Sequence, residues 1–338
     1  MGVIVDQRWQ SCRCGTILVR MTDTPAFLDA GRPDVPDIVV PRGVTPFHLP
    51  QRPVRGRLVK LGKLADALLL RHDTDDAVTR LRGEALALVA ALATALKYRG
   101  SFSLNAKGDG AVPMLLADCT DTGALRGYAR VDGEKLAAVL AETPEPTAAA
   151  LLGQGYLAFT VDQGPDMERY QGLVAIEGGS LGTMALHYFD ASEQTPCFLR
   201  LACARTAAGW RASALILEKI AGAGGVDPEM DSQIADEHWG TATILAETVT
   251  DAELLDDDLA PEDLLYRLFH TEGVAADFSR ALAYGCRCSR RRLAGLLETF
   301  SDEDLDHMAI EGEIVMTCEF CNHDFRFPRQ AVRRAGAA

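Results

Sequence analysis

The chain has 338 residues, 48% of them hydrophobic, 24% charged and only 7% aromatic. That is the composition of a folded, soluble protein of two or three domains with a core built mainly from Ala, Leu and Val, and it excludes a disordered polymer. The net charge of −14 repels phosphate backbones and argues against nucleic acid as a partner.

Residues 1–46 read as an irregular N-terminal extension, because Pro25, Pro33, Pro36, Pro41 and Pro46 interrupt any regular element. The extension lacks the basic, then apolar, then small-residue order of a secretory signal. Met21 offers a second start, with residues 1–20 upstream of it. Cys12 and Cys14 have no second pair nearby and are read as incidental.

Residues 47–225 form the expected core domain. Leu58, Leu61, Leu64, Leu68 and Leu69 fit helical spacing, and a longer helix is predicted from Asp75 to Tyr98, ended by Gly100. The apolar run Ala85 to Leu96 lies inside it and is too short to span a bilayer, so no membrane contact is expected. The period then changes to two. Strands are predicted at Phe102–Ala106, Val112–Ala117, Leu125–Val131, Tyr156–Val161, Leu173–Glu177 and Thr183–Tyr188. Phe198–Ala204 and Trp210–Ile220 close the domain as helix or strand. Cys119, Cys197 and Cys203 read as small buried hydrophobes there, and His72 and His187 as structural.

Ala221–Gly225 marks a boundary, and residues 226–285 read as an acidic helical linker. Between Asp227 and Asp277 stand fifteen Asp or Glu and a single Arg, Arg267. Like charges at helical spacing predict a self-repelling, metastable segment. The fold class expected is therefore α+β, with an N-terminal mainly antiparallel sheet domain carrying helices, an acidic helical linker and a small C-terminal metal-binding domain.

That last domain, residues 286–330, carries the strongest signal, and residues 331–338 form a tail. Cys286-Arg287-Cys288 and Cys318-Glu319-Phe320-Cys321 supply two close thiolate pairs. Four thiolates suit one tetrahedral Zn²⁺ per chain and leave no open position for hydrolysis. In a reducing, cytoplasmic setting, nine cysteines favour metal or redox chemistry over structural disulfides. A CxC disulfide would be strained and labile, which favours a switch. Arg287, Arg290, Arg291 and Arg292 are expected to offset the thiolate charge. A helix over Arg291–Phe300, a second one capped by Ser301, and strands at Ile314–Thr317 and His323–Phe327 complete the domain. Phe320, Phe325 and Phe327 are expected around the metal, with His323 outside the ligand set. No nucleophile elbow, Ser-His-Asp order or clustered acid–base pair marks an enzyme. A constitutive zinc-ribbon adaptor or interaction protein remains the alternative from these residues alone.

The chain resembles the 33-kilodalton heat-shock protein family of redox-regulated bacterial holdases. The likeness rests on Leu268-Phe269-His270, Cys286 to Arg292 and Cys318 to Asn322. It rests also on Arg55-Gly56-Arg57, Gly83-Glu84-Ala85, Lys107 to Gly110, Leu125 to Tyr128, Tyr170-Gln171-Gly172 and Ser192-Glu193-Gln194. It spans roughly Phe47 to Phe327. The first 46 residues have no counterpart, Ala214 to Glu218 lacks an expected Gly and Gln, and the linker is unusually acidic. The resemblance implies a reduced, zinc-bound resting form and an oxidised form with disulfides Cys286–Cys288 and Cys318–Cys321. In the oxidised form the zinc is released and the linker unfolds. It further implies a homodimer when oxidised, unfolded client proteins as partners, and their transfer to ATP-dependent chaperones.

Overall fold

The computed structural model describes residues 37–332 apart from 51, 95–98, 165–166, 168 and 221–227. Cys12, Cys14 and Met21 lie outside the described residues.

In chain order the elements are β1 (Val39–Leu49), β2 (Val54–Lys60), α1 (Lys63–Leu69), α2 (Asp76–Ala93), β3 (Ser101–Gly108), β4 (Met114–Thr120) and β5 (Ala124–Arg130). Then come α3 (Gly133–Glu142), α4 (Ala148–Leu152), β6 (Gly155–Asp162), β7 (Tyr170–Ala175), α5 (Leu181–Tyr188), β8 (Cys197–Thr206) and β9 (Gly209–Lys219). The acidic segment supplies α6 (Pro228–Glu247), α7 (Asp251–Leu255), α8 (Pro261–Phe269), β10 (Ala275–Ala276) and β11 (Arg280–Tyr284). The chain closes with α9 (Arg290–Leu297), α10 (Asp302–Met308), β12 (Glu313–Thr317) and β13 (Asp324–Pro328).

One large sheet runs β7-β6-β3-β4-β5-β11-β1-β2-β9-β8, with β10 beside β1, and β12 and β13 form a separate hairpin. All pairings are antiparallel except β5 with β11. The mainly antiparallel α+β expectation therefore holds. Strand β11 joins the two halves of the sheet, although the sequence places it at the end of the acidic segment. It fits closely between its neighbours. A Cβ at Gly285 would lie 2.4 Å from the Ala124 carbonyl carbon, and one at Gly123, where φ is +89°, would lie 2.1 Å from the Ala281 oxygen.

Alternation along the strands gives the sheet two apolar faces. In β9, Ala212, Ala214 and Ile216 join the core formed with α2, while Leu215 and Leu217 join Phe47, Leu49 and Leu58 on the other face. Helix α2 is buried nearly all round and begins at Asp75, whose carboxylate accepts from the Ala77 amide at 2.8 Å. Arg82 is buried within it. Its guanidinium donates to the Leu68 and Leu69 carbonyls at 3.3 and 3.4 Å, the unpaired acceptors at the end of α1. Burial lowers its pKa to about 10, so it stays cationic at neutral pH.

Several local expectations change. Residues 39–46 are strand, not irregular extension; Pro41 is tolerated because it falls in the register shift between Val40 and Val44. Leu58 belongs to β2, and only Lys63–Leu69 of that leucine series is helical. Helix α2 stops at Ala93. Thr183–Tyr188 is helical, because the Ser180 side chain accepts from the Thr183 amide as an N-cap. Cys119 and Cys203 are buried as expected, but Cys197 is only half-buried.

In this fold the acidic segment is docked on the sheet domain. Its helices lay Ala242, Ala246, Leu254, Leu264, Leu268 and Phe269 on the second sheet face, and Phe269 stacks on Phe47 at 5.5 Å. Its carboxylates pair with cations of the sheet domain. Arg42 meets Glu262 at 3.2 Å, Arg52 meets Glu272 at 3.0 Å, Arg200 meets Asp251 at 2.6 Å, and Arg211 meets Asp257 at 2.7 Å. Lys219 pairs with Asp236. The Lys60 ammonium donates to the Asp256 and Leu259 carbonyls, each at 2.7 Å. Cross-element attraction thus opposes the like-charge repulsion that the isolated sequence predicts.

Candidate metal centre

The first arm follows β11 directly. Tyr284 and Gly285 are buried, and Cys286 emerges at the foot of the sheet with 2% of its surface exposed. The second arm is the turn between β12 and β13. There the Cys318 amide donates to the His323 carbonyl at 2.9 Å, and the Asn322 amide to the Cys318 carbonyl at 2.7 Å. Asn322 takes φ +52°, a left-handed conformation that Asn tolerates better than most residues. This turn brings the two CxxC sulfurs to one side.

The sulfurs of Cys286, Cys288, Cys318 and Cys321 lie within 4.8 Å of one another. Sγ of Cys286 is 3.3 Å from that of Cys288 and 3.6 Å from that of Cys318, and Cys288 is 3.5 Å from Cys321. A tetrahedral zinc with Zn–S bonds near 2.3 Å would set its sulfurs about 3.8 Å apart. Small outward shifts therefore reach that spacing, and the donor set fits a metal site. With protons alone, the four cannot all ionise. Hydrogen bonds from neighbouring sulfurs, that of Cys286 foremost, hold Cys318 far down. The hydrogen bond between Cys286 and Cys288 is the largest cause lowering Cys286 to about 7. The same contacts, that with Cys286 first, push Cys288 and Cys321 up. A divalent cation would relieve this competition by letting every sulfur ionise.

The centre is docked on the sheet domain by polar and aromatic contacts. Asp118, buried on β4, accepts from Arg287 at 2.5 Å and from Arg126 at 3.2 Å. Phe320 of the CxxC turn lies under the Arg126 guanidinium, 4.2 Å from ring centroid to Cζ, and its edge faces Tyr128 at 6.4 Å. His72, from the loop between α1 and α2, sits beside the backbone of Glu319 and Phe320, with its ring 5.9 Å from Tyr128. Burial foremost, and then the Arg82 charge, lower its pKa.

Residues 43–328 match the pattern of the family described as "Hsp33 protein". The chain belongs to the Hsp33 family. A protein of Caulobacter vibrioides named 33 kDa chaperonin is 39% identical over 288 residues, covering 84% of this chain and 93% of the relative. One of Pseudomonas aeruginosa with the same name is 35% identical over 288 residues, covering 84% and 91%. The solved Heat shock protein 33 homolog of Thermotoga maritima superposes with a TM-score of 0.68 at 20% identity, covering 86% of this chain and 96% of that one, and shows the shared fold. Membership carries a chaperone role and sets the chain apart from enzymes. Among the described residues, no helix is long and apolar enough to cross a membrane.

Within this Hsp33-family chain, the four cysteines singled out by spacing come together, and the surrounding residues are redistributed. Arg287 turns to Asp118 instead of the thiolates, and Arg290 stacks on Phe327 at 4.6 Å. Arg291 and Arg292 are exposed. Phe325 and Phe327 form a small core with Leu297, Leu305 and Ile314, against which Cys288 and Cys318 pack, but Phe320 faces the sheet domain instead. His323 stands edge-on to Phe325 at 4.8 Å and is not among the clustered donors. His187 is exposed, whereas His72 has become a docking residue. Asp118 carries no local signal in sequence, because its partner Arg287 lies 169 positions away; the contacts of Arg126 and Tyr128 with Phe320 are likewise long-range, although Leu125 to Tyr128 is one of the motifs behind the family resemblance.

Proposed function

We propose that the chain is a redox-regulated, ATP-independent holdase of the bacterial cytoplasm. In the reduced form, Cys286, Cys288, Cys318 and Cys321 would hold one Zn²⁺. The ion would supply charge neutralisation for four thiolates and most of the folding free energy of a domain whose own core is small. The observation that carries this reading is mechanical. The cysteine cluster packs into the same core as β11, and β11 continues the segment whose helices cover the apolar sheet face.

Oxidation by a peroxide supplies the trigger. One thiolate attacks the O–O bond, giving a sulfenic acid and hydroxide. The neighbouring thiolate displaces a second hydroxide from that sulfur, and the S–S bond forms. Two thiolates thereby lose two electrons, and one peroxide becomes two waters on taking up two protons. We assign the pairs as Cys286–Cys288 and Cys318–Cys321, so two peroxides are consumed per chain. A disulfide sulfur is no longer a thiolate ligand, so residues 286–330 lose their support and the linker, residues 226–285, follows. The face holding Phe47, Leu49, Leu58, Leu215 and Leu217 is then free for unfolding clients. The oxidised chain acts as a homodimer and passes clients to ATP-dependent chaperones after reduction.

The test mixes reduced, zinc-loaded protein with peroxide at slightly raised temperature, reading a zinc dye and client light scattering together. Zinc release followed by suppressed aggregation is expected. Zinc that stays bound, or leaves with no gain in holding activity, would instead make the chain a constitutive zinc-ribbon interaction protein. Cys318→Ser with Cys321→Ser is expected to abolish stoichiometric zinc binding.

A further inference from the structure

The charge of this chain is distributed unevenly. Of its 48 acidic and 34 basic residues, 15 and 1 lie between Asp227 and Asp277, which leaves 33 of each elsewhere. The net charge of −14 therefore belongs entirely to the segment that covers the apolar sheet face. Among the described residues, the cations that meet it are Arg42, Arg52, Lys60, Arg200, Arg211 and Lys219, all from the sheet domain. Arg211 is the sharpest case. Its side chain is 4% exposed, and its partner Asp257 comes from the acidic segment. Once that segment leaves, an apolar stripe of Phe47, Leu49, Leu58, Leu215 and Leu217 stands among six cations that have lost their partners.

We infer that the acidic segment is an intramolecular stand-in for the client, and that the uncovered face selects amphipathic segments rich in Asp and Glu. This deepens the holdase reading and rests on it. The segment shows the pattern that the face accepts. Apolar residues at helical spacing (Leu254, Leu264, Leu265, Leu268, Phe269) fill the stripe while Asp251, Asp257 and Glu262 reach the cations beside it. A client of the same pattern buries the stripe and pairs the cations. A basic client of equal hydrophobicity buries the stripe but sets like charges together, which disfavours it.

The probe is a peptide of residues 250–270, which contains no cysteine and carries seven Asp or Glu and one Arg. Its counterpart has the seven replaced by lysine and Arg267 by glutamate. Both are titrated against the oxidised full chain by fluorescence anisotropy, with client aggregation measured on the same sample. The acidic peptide is expected to bind at least about tenfold tighter at low salt and to compete with client. The ratio should fall toward one near 1 M salt, where the screening length is about 3 Å. In a chain with Arg42→Gln, Arg200→Gln and Lys219→Gln, checked for unchanged zinc content when reduced, the ratio should narrow. Equal binding of the two peptides, or binding of neither by a chain that still suppresses aggregation, overturns the inference alone. An oxidised chain that neither binds peptide nor suppresses aggregation overturns the holdase reading and this inference with it.

Discussion

Replacing Asp118 by asparagine tests whether the metal centre is held by the contact described above or only by its own fold. The substitution keeps the shape and one acceptor oxygen but removes the charge that faces Arg126 and Arg287. Asp118 has 7% of its side chain exposed, while Arg287 has 32% and Arg126 19%, so the pair lies between surface and core. A hydrogen bond to a charged group contributes about 1.5–3 kcal/mol, and water reaching Arg287 argues for the lower half of that range. About 2 kcal/mol weakens docking roughly 30-fold, since each 1.4 kcal/mol is a factor of ten. The assay is a double-mutant cycle of Asp118→Asn with Arg287→Gln, reading zinc release at fixed peroxide and amide exchange of residues 280–288. Each single variant should release zinc faster and exchange faster, with thermal unfolding of the sheet domain little changed, and the double variant should be no worse than either. A coupling below about 0.5 kcal/mol, the level expected of sites that do not interact, would refute the role of the Asp118–Arg287 contact in docking.

Two further predictions concern the sheet domain. Burial foremost raises Glu84 to about 7, with Asp251 adding to the rise and Arg80 opposing it. A raised carboxyl contributes stability that is fully present below its ordinary value of 4.5 and lost as pH climbs through about 7. Thermal melts should therefore fall between these pH values, by up to roughly 3 kcal/mol of stability, and Glu84→Gln should flatten that slope; an unchanged slope would remove Glu84 as its source. At Gly83, an added Cβ would meet the Cys203 sulfur at 2.2 Å. Gly83→Ala should cost about 1–3 kcal/mol from overpacking, less the ~1 kcal/mol that Ala gains over Gly in a helix. Cys203→Ala should restore stability to it, and a Gly83→Ala protein as stable as its parent would show that the helix can shift.

The parts of this protein that the sequence makes legible are those encoded locally. CxC and CxxC are short, so the chain itself places each pair of sulfurs together. Alternation in Phe102–Ala106 and Tyr156–Val161 and the Asp75 cap likewise state their own conformations. Helix α5 is where the local reading goes wrong: the apolar content of Thr183–Tyr188 imitates a strand, although Ser180 followed by Leu181, Met184, Ala185 and Tyr188 at helical spacing carries the helical signal. Strand β11 was not legible. Leu282, Ala283 and Tyr284 are a short apolar run after an acidic stretch, and only the slot between β5 and β1 makes them a strand. Asp118 is hidden for the same reason, since its role is set by an arginine that tertiary folding delivers.

The acidic segment shows how the same residues can mean opposite things in two settings. Alone, its carboxylates repel one another and hold it open; on the sheet, the Arg42–Glu262 and Arg200–Asp251 pairs are exposed at both partners and each contributes no more than about 1 kcal/mol. Docking must therefore come chiefly from the stripe around Phe269 and from the continuity with β11. Continuity makes the cysteine cluster decisive. When β11 is held at one end by the docked cluster, the segment before it is confined near its site, and weak pairs form because their effective concentration is high. When the cluster loosens, that confinement ends while the repulsion remains. Under the proposed switch, such a segment does not need to be unstable in the resting protein to be released abruptly; it needs only to depend on a restraint that oxidation of the cysteines would remove.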